Sequence, residues 1–391
     1  MRDVPWRMVW ITASLATIDH GFRPLAGYRA LDLGASASEV ALLAAAFAVG
    51  AVLLAVPAGR VVDRVGAGRI LAVTGVVAPL PVAGALLVQS IDGLLAVAVL
   101  FGCVQLLLVV STQAAVVGHR DVPALDVTFG WLSAGTSVGQ AAGPMLALGV
   151  PSLMPNGAAG GLYLLAGLSC VVACGAVISG IRLIPHSRRH RGIARRPTPV
   201  AGIVRTPGMG VAVVLSGVTL ACLDLLVVFL PLWAQERGIA PAMVAAVLIV
   251  RGVASLASRV TMHVLVDRFT RKSLISGSLL VGGAGIGVLP FVGLVPALVV
   301  MAAVGFCLGL VQPLTMTWVV SSVAATDRGA ALGLRMLANR VLQVAMPLAI
   351  STISIPLSGI GSPSTRTLAL SAASLLSGSL VSMRSRWRYR P

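Results

Sequence analysis

From Val127 to Ile181 the chain runs for 55 residues without a single Asp, Glu, Lys or Arg. A helix needs about 20 apolar residues to cross the hydrocarbon core of a bilayer, so this run is long enough for two crossings. Pro151, Pro155 and Asn156 mark the turn between them. A second double-length run, Ser273 to Thr326, carries Pro290 and Pro296 near its break, and Val40–Gly59, Ile70–Ile91 and Gly93–Gly118 are single charge-free runs. Met8–Tyr28, Gly210–Trp233, Pro241–Leu265, Gly329–Ile350 and Thr365–Met383 complete the set with one or more charges each. The pattern predicts an all-α integral membrane protein of twelve transmembrane helices. The first run follows Arg2 and Arg7 as a signal peptide would. Only about ten apolar residues precede Asp19, however, and no small-residue cleavage site follows, so it reads as a retained span.

Composition removes the soluble alternatives. Only 10% of the residues are charged and 57% are hydrophobic, which leaves too little polar surface to cover a water-soluble globule. The formal net charge of +17 would point to nucleic acid in a soluble protein, but aromatic residues make up 4% of the chain, too few for a base-stacking surface. Mapped onto the spans, 21 of the 29 basic residues fall on one side, three (Arg29, Arg237 and Arg366) on the other, and five (Arg23, Arg251, Arg259, Arg335 and Arg340) within spans. By the positive-inside rule this predicts both termini in the cytoplasm of a multi-pass inner-membrane protein. The five cysteines, Cys103, Cys170, Cys174, Cys222 and Cys307, lie in apolar runs without ligand-like spacing, which argues against disulfides, a metal site or a cofactor.

Ile184 to Gly208 holds six arginines, two histidines and no acid, a composition that cannot pack a core and reads as a cytoplasmic linker. It divides the chain into a first bundle of six helices (1–183), the linker (184–208) and a second bundle of six (209–391). The halves match at nearly constant offset: Asp19 and Asp224 are 205 residues apart, Asp63-Arg64 and Asp267-Arg268 are 204 apart, and Gly130/Gly333 and Pro144/Pro347 are 203 apart. Such regularity implies a duplicated bundle, with a binding cavity expected between the copies.

Gly59-Arg60-Val61-Val62-Asp63-Arg64-Val65-Gly66, read as a loop between the second and third spans, resembles the G-x-x-x-D-R-x-G signature of the major facilitator superfamily of secondary transporters. The resemblance implies a conformational latch at Gly59, Asp63, Arg64 and Gly66, with a degenerate second copy at Asp267 and Arg268. Gly135, Gly139, Gly143 and Pro144 resemble the G-x-x-x-G-P motif of that family's proton-driven exporters, and small residues at this spacing also let helices pack closely. The arginine those exporters carry in the fourth span is absent from Gly93–Gly118.

Charged groups at bilayer depth are costly and therefore mark function. Asp224, with no base in its own span, and Asp19, four residues before Arg23 as in a helical ion pair, are the proton-coupling candidates. His20, Arg23, Gln105, Gln140, Arg251, Arg335, Asn339, Arg340 and Gln343 are the substrate-cavity candidates. Arg335, Asn339 and Gln343 recur every four residues as one polar stripe, suited to an anionic or hydrogen-bonding substrate or equally to pairing with Asp224. Three mid-span arginines against one acid in the second half favour a substrate carrying a carboxylate or phosphate.

The resemblance implies a small-molecule secondary transporter, driven by protons in the export direction and acting as a monomer in the bilayer. Proton-coupled uptake or facilitated diffusion of an anionic metabolite is the alternative, and a non-transporting receptor or scaffold is the alternative of a different class. No nucleophile and base set, no paired metal-binding acids and no G-x-x-x-x-G-K-[ST] loop are present, so an enzyme or an ATP-driven pump is not expected.

Overall fold

The computed structural model describes the backbone of residues 6–117, 122–151, 157–187, 202, 205–323, 328–354 and 361–385. Most of the linker and the Pro155-Asn156 turn lie outside these residues, as do the side chains of Arg60 and Asp63, whose backbone is helical. The helices are α1 (Trp6–Asp32), α2 (Ala37–Val65), α3 (Ala67–Val77), α4 (Pro79–Leu87), α5 (Ile91–Val117), α6 (Val122–Pro144) and α7 (Gly157–Ser187). They continue as α8 (Met209–Glu236), α9 (Pro241–Arg268), α10 (Arg271–Val288), α11 (Leu294–Ser321), α12 (Arg328–Ser354) and α13 (Pro363–Arg384). Among the described residues, eight helical runs, with α3 and α4 taken together, are long and apolar enough to cross a membrane. Outward-facing Leu53, Leu87, Val171 and Phe291 are largely exposed, as lipid rather than water would require.

One expectation about the helices is refined and one corrected. The Ile70–Ile91 run is one crossing, Ala67–Leu87, whose hydrogen-bond ladder is interrupted where α3 and α4 meet at Ala78, because Pro79 and Pro81 lack the N–H groups that would continue it. The Gly59–Gly66 signature is not a loop. Its first seven residues are the last two turns of α2, and the chain reverses at Gly66 alone, whose φ of 98° only glycine adopts at little cost. In the second copy Thr270 does the equivalent work as an ordinary N-cap, its hydroxyl accepting from the Ser273 N–H at 3.2 Å, so no glycine is needed.

The chain forms two compact units: Met1–Ala35, Ala46–Ile193 and Pro241–Ile249 make one, and Ser36–Ala45, Ala194–Ala240 and Val250–Pro391 make the other. The same packing pattern recurs in each. In the first, α1 packs on α6 and α3 packs on α7 and α5; in the second, α8 packs on α12 and α10 packs on α13 and α11. The starts of α1, α2 and α5 recur 203, 204 and 203 residues later as the starts of α8, α9 and α11, so the repeat extends to helix boundaries.

Candidate functional site

In the first unit, close packing positions the polar groups. Gly135, Gly139 and Gly143 face α1 so tightly that a Cβ at Gly139 would lie 2.5 Å from the Ala16 Cβ and 2.6 Å from the Thr17 nitrogen. A Cβ at Gly143 would lie 2.5 Å from the Thr17 carbonyl oxygen. Backbone therefore rests on backbone along this stripe, which fixes α1 and with it the polar residues one turn on. Arg23 Nε donates to Asp19 Oδ1 at 3.0 Å, with side chains only 9% and 15% exposed. The His20 Nδ1 sits 2.9 Å from the Ala16 carbonyl oxygen and 3.8 Å from Asp19 Oδ2. The Arg23 guanidinium also stands 5.1 Å from the centre of the Phe47 ring, which belongs to a cluster with Phe22 and Phe101. Gln140 is half-buried with its Oε1 unbonded, and Gln105 is half-buried on α5.

In the second unit the expected polar stripe on α12 divides between two networks. Gln343 Nε2 donates to Asp224 Oδ2 at 2.5 Å, and the Oε1 of the same amide accepts from Arg340 Nη1 at 3.2 Å. Arg251 is 3% exposed, is attracted electrostatically to Asp224 and repelled by Arg259, and its Nε has no hydrogen-bond partner. Asn339 is buried with an unbonded Oδ1. Arg335 belongs to the other network: its Nη2 donates to the Gln312 side-chain oxygen at 2.6 Å and to the Gln312 backbone oxygen at 3.1 Å. Gln312 Nε2 in turn donates to the Ser216 carbonyl at 2.9 Å. The Arg335 charge is thus met by neutral oxygens on α11, because a residue two turns along a helix from Gln343 faces a different neighbour.

Sequence reasoning missed Phe47 and its relation to Arg251. A Cβ at Gly102 would strike the Phe47 carbonyl oxygen, and one at Gly305 would strike the Arg251 carbonyl oxygen. The same crossing of two helices therefore recurs in each half, 203 to 204 residues apart, with an aromatic ring in one and a guanidinium in the other. The repeat offset is the signal that would have found the pair. Among the latch candidates, Arg64, Asp267 and Arg268 are exposed and Gly66 is the junction already described; the side chains of Gly59 and Asp63 lie outside the described residues. Among the described residues no three His, Cys, Asp or Glu side chains converge as a metal site would require.

Buried charge on membrane-crossing helices, repeated in two halves of one chain, defines a multi-pass transport protein. The chain matches the family model described as Major Facilitator Superfamily over residues 8–347 and belongs to that family. It is a secondary transporter and not an enzyme. Solved structures similar to it include a point mutant of the nucleoside transporter NupG, at 12% identity and a TM-score of 0.79, with 97% of this chain and 98% of that chain covered. A bacterial homologue of the human lysosomal transporter Spinster, in an inward-facing and occupied conformation, matches at 14% identity and a TM-score of 0.74 over 98% and 97%. No curated protein sequence matches this chain.

Proposed function

We propose that this protein is a proton-coupled secondary transporter of twelve membrane crossings that moves a small acceptor-bearing solute by alternating access. Its termini and linker lie in the cytoplasm of the inner membrane, and the 1–183 and 209–391 bundles work as one monomer. The observation that carries the reading is the difference between the two intramembrane acids. Asp19 is ion-paired within its own helix with Arg23, whereas Asp224 accepts from the Gln343 amide, whose oxygen accepts from Arg340, and is attracted to Arg251 on another helix.

Protonation of Asp224 makes its carboxyl a donor, and an amide that turns to accept from it presents Nε2 to Arg340, donor against donor. The Gln343 bond to Arg340 is then broken, and the Arg340 and Arg251 guanidinium groups can donate to a carboxylate or phosphate. Export rests on the likeness of Gly135–Pro144 to the exporter motif. The Gln343 bridge favours a second reading, uptake of an anion together with the proton, because protonation and anion binding then assist each other.

The test uses proteoliposomes, a solute library and an imposed pH gradient. Asp224→Asn is expected to abolish uphill movement while solute exchange continues, since exchange needs no net protonation cycle. Accumulation against a gradient in Asp224→Asn would remove Asp224 as the proton carrier. The direction in which an acid-outside gradient drives the solute separates export from uptake.

A further inference from the structure

An open groove of about 320 Å³ lies where the start of α1 meets the end of α7. Arg7, Trp10 and Ile11 line it from α1, at helical spacings that share one face, and Gly175, Ile178 and Arg182 do so from α7. The two helices run antiparallel, because the other end of α1, at Leu25 and Arg29, shares a second cavity with Leu162 and Tyr163 at the start of α7. Arg7 and Arg182 therefore stand at the same end of the groove, and Gly175 lies about 10 Å further along the helix. Neither guanidinium is hydrogen-bonded or ion-paired to a described residue, and none of the described residues that line the groove is an acid.

Apart from the buried Ser179, the rest of the groove is apolar and open. A Cβ at Gly175 would meet no atom within 4 Å, and Ile178 is half exposed. Trp10 is 71% exposed, and the nearby Trp6 packs edge-on against Trp131 with ring centres 5.0 Å apart. Exposed indoles mark the depth at which headgroups give way to acyl chains. A free anion would answer the two charges but leave the apolar floor uncovered. A zwitterionic lipid would cover the floor but bring an ammonium group to a pair of arginines.

We propose that this groove binds one anionic phospholipid, with its phosphate between Arg7 and Arg182 and an acyl chain along Trp10, Gly175 and Ile178. The leaflet to which this end belongs rests on the proposed topology, whereas binding does not. Each basic residue beside an anionic headgroup contributes about 1 kcal/mol, roughly fivefold in Kd.

The experiment is native mass spectrometry of the full-length detergent-solubilised protein titrated with phosphatidylglycerol or with phosphatidylcholine of the same chains. The wild type should bind phosphatidylglycerol more tightly, and Arg7→Gln with Arg182→Gln should weaken that binding roughly 25-fold while phosphatidylcholine binding stays level. Gly175→Phe, whose Cβ would meet no atom within 4 Å and whose ring would occupy the floor, is a second and independent variant expected to weaken phosphatidylglycerol binding with both arginines intact. Unchanged phosphatidylglycerol affinity in both variants overturns the proposal. So does displacement of the lipid by glycerol phosphate at equal concentration, because the site would then bind a free anion rather than a lipid.

Discussion

Arg251 offers the sharpest separation of function from stability. Its side chain is 3% exposed, its Nε has no partner, and Arg259 opposes the attraction of Asp224. Each buried donor left unbonded costs about 1 to 3 kcal/mol, whereas removing one partner of a buried charge pair costs about 3 to 5 kcal/mol. In Arg251→Met, relief of the unbonded Nε and of the Arg259 repulsion offsets much of the lost Asp224 attraction. Arg251→Met should therefore change stability by no more than about 2 kcal/mol, a few degrees in apparent melting temperature. Binding of an anionic solute should be lost, with Arg251→Lys weakened less because one point charge remains without the planar fork. Thermal unfolding in detergent, followed by intrinsic fluorescence, reads the first effect, and solute exchange in proteoliposomes reads the second. A variant that is destabilised by more than about 2 kcal/mol yet transports normally would show that Arg251 serves the fold.

Three further outcomes are expected. Gly139→Leu should prevent close packing of α1 on α6 and lower stability by at least about 3 kcal/mol, whereas Gly333→Ala, whose Cβ meets no atom within 4 Å, should change it by no more than about 1 kcal/mol; detergent melting curves compare the two. Asp63→Asn should leave the protein abundant and slow transport, and unchanged transport kinetics would remove the latch role that the resemblance implies. A cysteine placed at Thr198 in a cysteine-free background should resist a membrane-impermeant maleimide applied to intact cells, and rapid labelling would reverse the proposed topology.

What the residues reveal on their own is what short-range chemistry determines. Charge-free runs of membrane length, the positions of Pro290 and Pro296, and the Asp19 to Arg23 spacing act through neighbours within one turn or one span, and the order of residues contains them. The duplication is equally visible, because copied helices keep their landmarks at 203 to 205 residues. The Gly59–Gly66 signature was misplaced as a loop because charged residues beyond the hydrocarbon need not break a helix, and only Gly66 reverses the chain.

Partner choice was legible only as the general pairing of the α12 stripe with Asp224, not residue by residue. Periodicity puts Arg335, Asn339 and Gln343 on one face of α12 without saying which neighbour each of them meets. The tertiary structure sends Arg335 to Gln312 on α11 and Gln343 to Asp224 on α8, 119 residues away. It also seats Phe47 and Arg251 at equivalent crossings, where Gly102 and Gly305 let helices touch backbone to backbone. A helix side chain reaches only a few ångströms, so the chemistry of each charge depends on which neighbouring helix packing brings within that distance, and sequence spacing along a single helix contains no such information.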